Sequence, residues 1–155
     1  MSELKSVLLA IDVATQRRDM ASKELGKTER AHRYAQEQLE QLELYAADTD
    51  AKWTRAATGG VAPGVMFHHF QFMDRLYHAI GLQRNNIDET LAEAASAKKV
   101  LLEAEFRLIR LRQLLKAKQH ELHAEQARHE QKQMDEFAMT QYLRSAGQRL
   151  NGEFP

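Results

Sequence analysis

The side chains best suited to chemistry in this chain are its histidines. His120-Glu121-Leu122-His123 sets two imidazoles at i, i+3, with His129 further along. A zinc centre needs three or four converging ligands, and the His-Glu-x-x-His spacing of a zinc protease is absent. These histidines therefore read as a solvated helix face. His68-His69 lies just after a glycine-rich segment and reads as surface or capping residues. Carboxylates are numerous, with 22 Asp and Glu, but they are dispersed, so no pair is pushed towards a useful pKa. No Gly-x-x-x-x-Gly-Lys-Ser/Thr loop and no Gly-x-Ser-x-Gly elbow occurs, and Gly59-Gly60 alone marks a turn. The expectation is a chain that is not an enzyme, with no catalytic residue, no metal and no cofactor.

The composition sets the elements that must carry these residues. The chain has 155 residues, 28% of them charged and 7% aromatic, with two prolines, no cysteine and a formal net charge of zero. Ala, Leu, Gln, Glu, Lys and Arg dominate, which is the helix-forming set. A neutral total gives no overall attraction to nucleic acid. Arg107, Arg110, Arg112, Lys116 and Lys118 form a basic run without aromatics between them. It reads as a solvated face beside the helix contact, with an acidic protein surface as the alternative. No apolar run is long enough to span a bilayer, so no direct membrane insertion is expected. The beginning of the sequence lacks the pattern of a secretory signal, and a chain without cysteine fits the cytoplasm.

Apolar and small residues recur every seven positions. One series runs Leu4, Ile11, Arg18, Leu25, His32, Leu39, Ala46, Trp53, and its companion Val7, Ala14, Ala21, Thr28, Ala35, Leu42, Thr49, Ala56. A second segment runs Met73, Ile80, Ile87, Ala94, Leu101, Leu108, Leu115, Leu122, with Leu76, Gln83, Thr90, Ala97, Ala104 and Leu111 three residues on. A repeat held over so many heptads specifies a left-handed coiled coil. Arg18 and His32 would fix register within the seam. The glycines at 59, 60 and 64 with Pro63 break the helix, and so short a connection makes the two helices antiparallel. The expected fold is all-α: a two-helix antiparallel coiled-coil hairpin forming one domain over 1–146. Helix 1 is expected at about 3–57, the turn at 58–64 and helix 2 at about 65–145, with a disordered tail over 147–155. Folding about residue 61 places Leu4 opposite residues near 118. The rest of helix 2 then overhangs unpaired. Gly26 and Gly81 fall inside helices, where each costs about 1 kcal/mol relative to Ala.

Two surfaces have reason to meet a partner. The overhang carries Met134, Phe137, Met139, Tyr142 and Leu143, and Met134 shares a face with Phe137 and Ala138. Exposed Phe and Met on a single helix invite a partner. Near the turn, Gln38, Leu42 and Tyr45 on helix 1 reach similar heights to Phe72, Leu76, Ala79 and Gln83 on helix 2. This set reads either as a docking surface or as core packing.

The stretches Gln38-Leu39-Glu40-Gln41-Leu42-Glu43-Leu44-Tyr45, then Gly60, then Phe72-x3-Leu76-x2-Ala79-Ile80-x2-Gln83 resemble the flagellar type III export protein FliJ family. The stretch Gln131-Lys132-Gln133-Met134-Asp135-Glu136-Phe137-Ala138 is similar to that family's C-terminal signature. Thr49 departs from the pattern, since an aromatic is common there. The resemblance covers about residues 4 to 145. It implies a non-enzymatic, stalk-like cytoplasmic component of the flagellar export apparatus, peripherally associated with the inner membrane. Implied partners are the export ATPase hexamer, the cytoplasmic domain of the export gate, and export chaperones. Carried over, Gln38, Leu42, Tyr45, Phe72, Leu76 and Ala79 would dock the gate. Met134, Asp135, Glu136 and Phe137 match the signature, and their place on the overhang puts them on the ATPase side. A free monomer is expected. The rival readings are the equivalent stalk of a virulence secretion system and a generic coiled-coil scaffold or adaptor.

Overall fold

The computed structural model describes residues 2–153. The chain is all-α: helix α1 covers Ser2–Ala57 and helix α2 covers Pro63–Glu153. The chain divides into two compact units, one of Ala14–Arg107 and one of Met1–Val13 with Leu108–Pro155.

The Ala14–Arg107 unit is an antiparallel hairpin. Its reversal is built by Gly60, whose φ of 84° lies in the left-handed region that only glycine adopts freely. The last carbonyls of α1 are satisfied locally. Gly59 N–H donates to Ala56, Gly60 N–H to Ala57 and the Thr58 hydroxyl to Arg55. Pro63 does not lie in the turn, as the sequence suggested, but opens α2. Its missing N–H and fixed φ suit the first helical position, and Ala62 caps it by accepting from Met66 N–H at 3.1 Å. The turn is thus residues 58–62.

The core of this unit follows the two heptad series. Ala46, Met73, Leu76 and Ile80 are buried together, with Leu39 and Leu42 packed against them. Ala14, Ala21 and Ala35 on α1 and Thr90 and Ala97 on α2 are also buried. The small α1 residues hold the partner backbone close. Gln83 Nε2 donates to the carbonyl of Ala35 at 2.8 Å. His32 Nδ1 lies 3.1 Å from Thr90 Oγ1, and that hydroxyl donates its proton to Ile87 O. The imidazole and the hydroxyl thus meet across the two helices. Arg18 leans out to pair with Asp19 at 3.0 Å. Gly26 and Gly81 mark no close helix approach: a Cβ on Gly26 would meet only Arg30 of its own helix, and one on Gly81 would meet nothing within 4 Å.

In the other unit Val7 on α1 and Leu108 on α2 are buried, with Leu108 only 2% exposed. Glu3 pairs with Lys118 at 3.1 Å, which is the register expected from folding about residue 61. The Glu3 carboxylate, by hydrogen bond and by charge, and then Glu121 hold the Lys118 ammonium pKa above its ordinary value. Residues 125–145 of α2 are all exposed.

The expected disordered tail is corrected over 147–153, since α2 continues to Glu153. Gly147 alone is a weak stop beside the helix formers Ala146, Gln148, Arg149 and Leu150. The end of the expected tail, Phe154 and Pro155, lies outside the described residues.

Candidate functional site

The six residues expected to dock a partner near the turn fall into two groups. Leu76 is buried in the core, while Leu42 and Ala79 are half-buried, Leu42 against that core. Leu42 and Leu76 belong to the seam, and Ala79 lies beside it. Tyr45 and Phe72 protrude, 53% and 41% exposed. Their rings meet edge to face across the two helices, with centroids 6.2 Å apart at 80°. Such a pair is worth about 0.5–1.5 kcal/mol beyond its area and limits the freedom of both rings before any partner arrives. Gln38 is half-buried and donates to the Tyr34 hydroxyl at 2.9 Å. Arg84 pairs with Glu43 at 3.0 Å across the same pair of helices. The result is a small aromatic and amide platform bordered by an exposed ion pair.

The histidine pair after the turn was underestimated. His68 is exposed, but His69 is half-buried and stacks face to face on Trp53, with centroids 3.9 Å apart and planes 6° apart. Trp53 was legible as a seam residue. Its partner His69 lies seven residues before Leu76, in phase with the seam, which the reading as surface or capping residues passed over.

The second surface is the bare end of α2. Met134, Phe137, Met139, Tyr142 and Leu143 are each more than 60% exposed. Asp135 and Glu136 are exposed as well, with Asp135 accepting from Gln131 at 3.1 Å. An apolar pair with two carboxylates between them therefore stands free on one helix. His120, His123 and His129 are exposed here, and His129 lies 3.3 Å from Gln133. Among the described residues, no three His, Cys, Asp or Glu side chains converge as a metal shell. Of the basic run, Arg107, Arg110, Arg112 and Lys116 are exposed, while Lys118 is held by Glu3.

The family model described as flagellar FliJ protein matches residues 2–147. No curated protein and no solved structure matches the chain.

Proposed function

The chain belongs to the flagellar FliJ protein family, and on that premise we propose that it is the non-enzymatic stalk of the flagellar export apparatus. Membership makes it a component associated with flagellar protein export. The finer reading is a link between the export ATPase ring and the cytoplasmic domain of the export gate, with export chaperones as further partners. It works in the cytoplasm, peripherally associated with the inner membrane, and is a monomer when free.

The observation that supports this reading is that Tyr45 and Phe72 near the turn, and Met134 and Phe137 towards the end of α2, are large and exposed. Tyr45, Phe72 and Gln38 form the gate-docking platform, supported from beneath by Leu42, Leu76 and Ala79. Met134, Asp135, Glu136 and Phe137 form the ATPase-side contact. A stalk acts mechanically. Its different faces bind the subunits of a near-symmetric ring unequally, and only that difference in binding can bias their conformations.

The test is co-purification with the export ATPase and with the gate's cytoplasmic domain from the same organism. Truncation after residue 125 should abolish ATPase capture and leave gate capture intact. The double variant Tyr45→Ala/Phe72→Ala should do the reverse, with helix content unchanged. ATPase capture that survives the truncation refutes the assignment of the bare end. Collapse of helix content in the double variant returns both rings to the core and refutes the docking platform.

A further inference from the structure

The apolar residues at the bare end of α2 lie on two nearly opposite sides of the helix. At about 100° per residue, Met134, Phe137 and Ala138 share one side. Met139, Leu143, Ala146 and Leu150 follow one another at i, i+4, i+7, i+11 on the other. Met139, Leu143 and Leu150 are 62%, 61% and 59% exposed, and none of them belongs to the ATPase-side contact. This second stripe keeps the heptad phase of the seam, since Leu143 and Leu150 stand three and four heptads after Leu122.

The charges along the same stretch are sorted by sign. Residues 125–136 hold Glu125, Glu130, Asp135 and Glu136 against Arg128 and Lys132, a net of −2. Residues 137–152 hold Arg144 and Arg149 and no acid, a net of +2. A helix polarised in this way is complementary to its own reverse. A parallel copy would instead set Lys132 against Lys132 and Glu136 against Glu136 along the stripe.

We propose that the bare end of α2 pairs with the same segment of a second copy of the chain, antiparallel and centred near Tyr142. In this register Met139 and Leu143 of one copy pack on Leu143 and Met139 of the other. Along one edge of the stripe Arg128, Asp135, Tyr142 and Arg149 recur every seven residues. Reversed on itself, that row sets Asp135 opposite Arg149 of the second copy, twice, with Tyr142 beside its twin. The other edge, Gln133, Thr140 and Gly147, carries no charge to oppose this order. Only the two central layers are wholly apolar. The outer ones set Glu136 against Ala146 and Lys132 against Leu150, so the pairing is weak. The dilute chain is a monomer and dimerises with a dissociation constant on the order of tens of micromolar. Met134 and Phe137 stay on the outer side, and this inference does not rest on the gate or ATPase assignments.

Sedimentation velocity of the full chain from about 1 to about 200 μM tests the pairing. A monomer is expected at the low end and a dimer at the high end. Asp135→Arg should weaken the dimer about tenfold, by setting like charges together twice. Asp135→Arg/Arg149→Asp should restore it to within about threefold of the parent. Met139→Ser/Leu143→Ser should abolish it with helix content unchanged, and Leu143→Gln replaces that variant should it lose helix. Phe137→Ser should dimerise as the parent does. Because the chain has no cysteine, Gln126→Cys carries a single spin label. The antiparallel register puts two such labels about 45 Å apart, whereas a parallel pair would bring them within about 20 Å. A chain that stays monomeric at the highest concentration overturns the proposal. So does a short distance between the labels, or a double charge reversal that leaves the dimer as weak as Asp135→Arg alone.

Discussion

Residues 39–80 and residues 125–145 differ in what their apolar side chains touch. In the first region Ala46, Met73, Leu76 and Ile80 are buried by a partner helix of the same chain. In the second Met134, Phe137, Met139, Tyr142 and Leu143 face solvent on every side of a single helix. The first region stores stability and the second leaves its apolar surface unused. Seam residues are thus explained by folding, while the exposed residues of α2's end need an explanation outside the chain. The platform of Tyr45 and Phe72 sits between these cases, with rings exposed on a base that is core.

The largest expected effect separates the two regions directly. Ile80→Ala should destabilise the chain by about 2–5 kcal/mol, since it removes buried volume that two helices have little means of refilling. Phe137→Ala, although it deletes a larger side chain, should change stability by less than about 0.5 kcal/mol. Chemical denaturation of both variants measures the contrast, and equal losses would erase the distinction between seam and bare helix.

A smaller effect sharpens the same comparison within the paired region. Gly81 neighbours the buried Ile80, yet the space beside it is open. Gly81→Ala should raise stability by about 1 kcal/mol through helix propensity alone. A loss on thermal melting would mean that the helices approach more closely at 81 than this geometry has them.

Much of this contrast is legible in the sequence, for a physical reason. A heptad repeat is a direct record of burial, and both series lie at buried or half-buried positions except Ala56, which is exposed at the end of α1. The end of the pairing was legible too, since Leu122 is the last seam residue and everything from 125 to 145 is exposed. Contacts that depend on register across the turn were not legible. Gln83 reaching the Ala35 carbonyl and His32 meeting the Thr90 hydroxyl each join residues far apart in sequence. A period tells which face is inward, but not which side chains meet there. The docking platform was half legible: the spacing gathered its six residues, and only coordinates divide Leu42, Leu76 and Ala79 from the protruding Tyr45 and Phe72. The helical stretch 147–153 was not legible, because nearness to the end of the chain was read as disorder although helix formers continue through it.

The most direct test of the contrast between a self-buried seam and a bare binding end is hydrogen exchange along the chain, alone and with the export ATPase added. Amides around Ala46, Met73 and Ile80 should exchange slowly in both conditions, because opening them needs the helix pair to come apart. Amides over 125–145 should exchange fast in the free chain and become protected on adding the ATPase. Slow exchange there in the free chain, or no change when the ATPase binds, would contradict the division between the two regions.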